Sequence, residues 1–93
     1  MAQLIKPNGE VTEVHPLNGE KTFTLEELQN YVGGDIEPLY FGDGRIMFFD
    51  EDGKYKNYEV NQKATTMAQQ YSGIAPWDCI VGTAIITEKH ETN

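Results

Sequence analysis

Asp35-Ile36-Glu37-Pro38-Leu39-Tyr40-Phe41-Gly42-Asp43-Gly44-Arg45-Ile46-Met47-Phe48-Phe49-Asp50 is two β-prone runs around a Gly-Asp-Gly loop. The loop has the length and composition of a three-residue hairpin connection, in which glycine supplies the unusual φ. That loop sets the pairing. Phe41 falls opposite Arg45, Leu39 opposite Met47 and Glu37 opposite Phe49. Ile36, Tyr40, Ile46 and Phe48 then point to the other face, because side chains alternate along a strand. Pro38 has no N–H to give to a ladder, so its strand belongs at an edge or is irregular there.

Upstream of the hairpin, Phe23-Thr24-Leu25-Glu26-Glu27-Leu28 opens a helix. Thr24 and Glu27 have the spacing of a capping box, and Phe23 is placed to staple against Leu28. Leu25, Leu28, Tyr31 and Val32 share one helical face, and Gly33-Gly34 stops the helix. Further upstream, Pro7-Asn8-Gly9-Glu10 is a tight turn between residues 2–6 and 11–15, which reads as a second hairpin. Pro16 to Lys21 is a loop.

Downstream of the hairpin, Asp50-Glu51-Asp52-Gly53 is a turn and residues 54–59 form a short strand carrying Tyr55 and Tyr58. Asn61 caps a second helix that runs to about Tyr71, with Val60, Ala64, Met67, Ala68 and Tyr71 on one stripe and Gly73 at its stop. Residues 79–87 are β-branched and almost continuously apolar, the pattern of a central strand covered on both faces. The fold class is α+β: a small, mainly antiparallel β-sheet with two amphipathic helices, in the order β-β-α-β-β-(β)-α-β. Residues 1–88 form a single globular α+β domain, and residues 89–93 are a polar C-terminal tail expected to fray.

Composition narrows function by exclusion. The 93 residues hold seven Lys+Arg against fifteen Asp+Glu, a net charge of −8. Direct binding to nucleic acid or to an anionic membrane needs a basic footprint that this chain lacks. One cysteine excludes an internal disulfide framework and a multi-cysteine zinc site. No apolar run approaches the roughly 18 residues of a membrane span, and Met1-Ala2-Gln3-Leu4-Ile5-Lys6-Pro7 has no secretory apolar core, so the expected location is the cytoplasm.

No constellation in the sequence compels a chemical role. With Gly53 set at the glycine of a calcium loop, Asp50, Asp52 and Glu59 fall at ligand positions, but Phe48 stands where the first ligand belongs. A solvated turn is therefore the reading of residues 50–59. Cys79 opens an apolar strand, where a thiol behaves as a small hydrophobe, and neither His15 nor His90 is placed to activate it. Glu26 and Glu27 suit the positive end of a helix dipole. Glu37 is a solvent-facing position on a one-sided strand. The glycines match neither a dinucleotide fingerprint nor a phosphate loop. Arg45, the lone arginine, has Asp43 at hand for a surface pair. No catalytic residues, no metal ligands and no cofactor are expected.

The aromatic residues carry the strongest functional hint. With the helices on one sheet face, Phe41, Phe49, Leu39 and Met47 lie on the other. Either the loop carrying Trp77 covers that face or it is open to a partner. The candidate partner or ligand surface is Tyr40, Phe41, Arg45, Phe49, Tyr55, Tyr58 and Trp77.

Several ordered segments also match a known pattern: Leu4-Ile5-Lys6-Pro7-Asn8-Gly9, Phe23-Thr24-Leu25-Glu26-Glu27-Leu28-Gln29, Val32-Gly33-Gly34-Asp35-Ile36-Glu37 and Gly44-Arg45-Ile46-Met47. Asp50-Glu51-Asp52-Gly53-Lys54, Asn61 with Ala64-Thr65, and Ile80-Val81-Gly82-Thr83-Ala84 continue it. Over nearly its whole length the chain resembles domain-of-unknown-function family 3846, a family of small bacterial and phage proteins. The resemblance implies an accessory role in phages or mobile elements and brings no catalytic residues. Two functions are expected to compete. The first is a non-enzymatic interaction protein whose acidic surface meets a basic host protein. The second is a nucleotide or metabolite binder with its pocket at a homodimer interface.

Overall fold

The computed structural model describes residues 2–92. Its element order is β1 (Ala2–Ile5), β2 (Val11–Val14), α1 (Leu25–Val32), β3 (Ile36–Tyr40), β4 (Arg45–Asp50), α2 (Gln62–Tyr71) and β5 (Ala84–Glu88). The strands make one antiparallel sheet in the order β2-β1-β5-β4-β3. The α+β class therefore stands. So does the register of the central hairpin, with Glu37 facing Phe49 and Leu39 facing Met47.

Each element starts and stops for a local reason. Thr24 Oγ1 accepts the Glu27 N–H at 3.1 Å and Glu27 Oε1 accepts the Thr24 N–H at 3.0 Å, closing the capping box. The other Glu27 oxygen accepts the Leu17 N–H at 2.9 Å and ties the preceding loop to the helix. Gly33 ends α1 at φ +86°, a left-handed conformation that a Cβ would penalise. β3 is an edge strand, as Pro38 requires. The Phe41 N–H bonds to Arg45 O and the Glu51 N–H to Asp35 O, so odd-numbered residues of this strand face β4. Pro38 therefore turns its missing N–H to the free edge, where it costs no ladder bond.

The two helices lie on opposite sheet faces, which corrects the expectation that one face carries both. On one side Leu28 and Val32 of α1 pack with Phe23, Ile46, Phe48 and Ile85. On the other, Ala64 and Ala68 of α2 pack with Ile5, Phe41, Met47, Ala84 and Ile86. The cause is in β4 and β5. Alternate residues of both strands are apolar on both sides, so each face needs its own cover. The small side chains of Ala64 and Ala68 let α2 lie close against the sheet.

Two expected elements change form. The strand at residues 54–59 is instead a 3-10 turn, Gly53–Tyr55, followed by a single bridge between Val60 and Val81. The central strand begins only at Ala84 rather than at residue 79, because Gly82 sits at φ +75° and interrupts the extended chain. The polar tail is also docked. Lys89–Glu91 forms a 3-10 turn in which Glu91 is buried, and the Phe23 N–H donates to Glu91 O at 2.7 Å. Asn93 lies outside the described residues.

Asn61 caps α2 and is fully buried. Its Oδ1 accepts the Ala64 N–H at 3.0 Å, and its Nδ2 donates to Ile5 O and to Gly82 O, each at 2.9 Å. Asn61→Ala strips the cap and removes the amide donor to two buried carbonyls, a loss of about 3 kcal/mol. In urea the unfolding midpoint falls while the slope stays constant. Thr87, also fully buried, has a hydroxyl with no hydrogen-bond partner among the described residues. Thr87→Val therefore raises stability by about 1 kcal/mol in the same experiment, since it removes an unpaired polar group at nearly constant volume.

Candidate functional site

The residues expected to form one surface separate into four places. Arg45 is held by Asp43, with Nη2 at 2.8 Å and Nε at 2.9 Å from Oδ2. Its backbone N–H donates to Asp43 Oδ1 at 3.1 Å. This is the surface pair expected for the lone arginine. Hydrogen bonding from Arg45 holds the Asp43 carboxyl below its ordinary range, and the same bond raises the guanidinium. The guanidinium also lies 4.7 Å from the Tyr71 ring centre and 5.2 Å from that of Phe41. Phe41 and Tyr71 themselves stack at 5.6 Å. Arg45 therefore fastens the end of α2 to the hairpin.

Phe41 is buried under α2, and Phe49 is half-buried against the same cluster. The face on which they lie is covered by the second helix together with Ile74 and Ile80 from either side of Trp77, while the Trp77 ring itself stays exposed. Tyr40 stands exposed on the edge strand, on the α1 side of the sheet.

Tyr55 and Trp77 are 90% and 88% exposed, on two loops. Their chain neighbours Lys54 and Asp78 form an ion pair that clips the loops together. That hydrogen bond raises the Lys54 pKa and lowers that of Asp78. Behind the clip is a cavity of 180 Å³ bounded by Phe49, Lys54, Ile74, Asp78, Cys79 and Ile80. The Cys79 thiol is half-buried there. No histidine lines the cavity, and both His15 and His90 are exposed.

Tyr58 belongs to a buried polar network that the sequence did not announce. Asp50 is 2% exposed. Its Oδ2 accepts from Lys56 Nζ at 2.6 Å and from the Tyr58 hydroxyl at 3.0 Å, and its Oδ1 accepts the Asp52 N–H at 2.9 Å. Burial pushes the Asp50 carboxyl up, but the Lys56, Asp52 and Tyr58 hydrogen bonds together outweigh it and hold the pKa below its ordinary value. Two glycines make room. A Cβ on Gly34 would lie 2.7 Å from Asp50 Oδ2, and one on Gly82 would lie 2.7 Å from the Tyr58 ring. Strand parity is the signal that could have found this network. Ile46, Phe48 and Asp50 share one face, so the carboxylate ending β4 turns toward α1 and must find donors there. Asp50 is thus committed to protein donors, while Asp52 and Glu59 point to solvent. Among the described residues, no group of three or more His, Cys, Asp or Glu is placed to hold a metal ion.

A second, more open cleft of 490 Å³ lies beside Tyr58, between the end of α1 and the β1–β2 turn. Among the described residues, no helix is long and apolar enough to cross a membrane. The profile of DUF3846, a domain of unknown function, matches residues 2–93. The chain belongs to this family. Comparison with curated proteins and with solved structures finds no match. In this DUF3846 domain the chemistry must therefore be read from its own side chains: a committed carboxylate network, an arginine clamp, an aromatic loop pair and an open cleft beside Tyr58.

The Asp50 network makes stability pH-dependent in a definite direction. A carboxyl whose folded pKa is depressed stabilises the fold above its unfolded pKa, and loses that contribution as pH falls through the folded value. Asp50→Asn is therefore less stable than the parent at pH 7. The gap between the two closes as pH drops below about 4, the unfolded range of aspartate. Urea unfolding midpoints measured from pH 7 down to pH 2 check this.

Proposed function

We propose that this domain is a non-enzymatic interaction protein that binds a basic surface of another protein through the loops bearing Tyr55 and Trp77. The observation that carries the reading is the exposure of these two rings on loops clipped by Lys54 and Asp78. Tyrosine and tryptophan concentrate binding energy at protein interfaces, and a ring held on an anchored loop loses little freedom when it docks. Hydrogen bonds within the loops add to the clip. The Asp78 N–H donates to Ala75 O at 2.9 Å, and the Cys79 N–H to Asp78 Oδ1 at 2.8 Å.

Charge supplies the second half of the argument. Glu37, Glu51 and Asp52 are exposed, and Glu37 and Glu51 line the cavity behind the clip. With a net charge of −8, the domain is steered toward positive potential, and the attraction weakens as salt screens it. The three carboxylates set the sign of the partner, and the two rings supply its contact area.

Affinity capture from lysate, repeated with variants, tests the reading. The wild-type domain retains a protein partner at low salt and releases it as salt rises. Trp77→Ala weakens the purified pair at least about tenfold, in line with the loss of an aromatic anchor. It leaves the melting temperature unchanged, because the ring is already in water. Failure to capture any partner, or equal binding by the Trp77→Ala domain, overturns the reading.

A further inference from the structure

The 180 Å³ cavity behind the Lys54–Asp78 clip is smaller than the roughly 300–1,000 Å³ of small-ligand pockets. It has room for one extended side chain. Strand parity sets its floor. Glu37, Leu39, Phe49 and Glu51 fall on the α2 side of β3 and β4, because odd-numbered residues of both strands share that face. Leu39 and Phe49 lie half-buried with Ile74 and Ile80, which gives the cavity an apolar end next to α2. Away from α2 stand Glu37, opposite Phe49, and Glu51, two residues beyond Phe49. These two are diagonal neighbours across the strand pair, at a spacing of about 7–8 Å. The cavity is therefore a short trough with an aliphatic floor and two carboxylates at one end.

Its charges do not cancel. Glu37, Asp50, Glu51, Asp78 and Lys54 line it. Asp50 is answered by Lys56 at 2.6 Å, and Asp78 by Lys54. The Lys54 ammonium also feels Glu37, but it is one cation shared between two carboxylates. Among the described residues, neither Glu37 nor Glu51 has an ion-pair partner of its own. Four carboxylates against two ammonium groups leave a surplus of two negative charges beside the apolar floor.

A long aliphatic cation satisfies both halves of the trough. Its stem lies on Leu39 and Phe49, and its head stays at the hydrated carboxylate end. Glu37 and Glu51 belong to different strands and approach a guest from two directions. That arrangement suits a compact ammonium, whose donors rotate, better than a planar guanidinium fork, which pairs with a single carboxylate. We propose that this cavity seats a lysine side chain of the basic protein partner. The assignment rests on the reading that Tyr55 and Trp77 form an interface, and it is continuous with that surface, since their chain neighbours Lys54 and Asp78 line the cavity.

Titration of the isotope-labelled full chain, followed by backbone amide NMR, tests the proposal. The probes are N-acetyl-lysine methylamide, its arginine counterpart and its norleucine counterpart, which keeps the stem without the charge. Saturable shifts centred on Phe49, Glu51, Cys79 and Ile80 are expected with the lysine probe. Glu37→Gln and Glu51→Gln each weaken its binding about threefold, the scale of exposed charge pairs, and the norleucine probe binds about tenfold more weakly. Glu26→Gln, the same charge change on α1, leaves the binding unaltered. The Glu37→Gln/Glu51→Gln double variant weakens a purified partner by about tenfold as well. No saturation by the lysine probe below about 10 mM, the weak end of specific binding, overturns the proposal. So does equal binding of norleucine, tighter binding of arginine, or an equal loss in Glu26→Gln. Lysine binding by a domain that captures no partner retains the lysine seat and removes the loop interface. Capture of a partner without lysine binding does the reverse.

Discussion

The side chain of Asn61 holds three parts of this molecule in one arrangement. One of its atoms starts α2, and its amide reaches the end of β1 and the Gly82 step that leads into β5. Its own N–H donates to Ile80 O at 2.8 Å, so the segment entering the central strand is fastened from the same residue. Each of these groups is buried, and a buried amide or carbonyl without a partner is costly. The requirement fixes where α2 begins and which sheet face it crosses. The placement of Tyr58 and the open cleft follows, because both depend on the course of the chain between β4 and α2.

Much of this architecture is written locally. The hairpin register follows from a loop of three residues and a period of two. The boundaries of α1 follow from Thr24, Glu27 and Gly33. Pro38 announces an edge strand. Non-local consequences are harder to see in one dimension. Placing both helices on one face overlooked that Phe41 and Met47 demand cover as strongly as Ile46 and Phe48 do. A strand with two apolar faces has no solvent side to spare. The break before β5 was hidden because Val81 and Thr83 read as strand on either side of Gly82, and the left-handed φ and the approach of Tyr58 that explain the glycine exist only in three dimensions.

The candidate surface shows the same division. The pairing of Arg45 with Asp43 is local, two residues apart, and legible. Its stacking on Tyr71 links residues 26 positions apart in the chain and is not. Phe41 looked available to a partner only until α2 was laid over it. The network around Asp50 had a readable clue in strand parity, but its donors come from a turn that resembled a strand. The exposed rings of Tyr55 and Trp77 gain meaning from Lys54 and Asp78, 24 residues apart, which bring their two loops into register.

The lone proline of the edge strand has an effect on how the sheet could be extended. A chain adding alongside β3 would find no N–H at the middle of the strand, so one margin of the sheet is closed to growth. The opposite margin, β2, contains no proline and ends the strand order on the other side. Addition of a further strand therefore meets this obstacle at the β3 margin and not at the β2 margin.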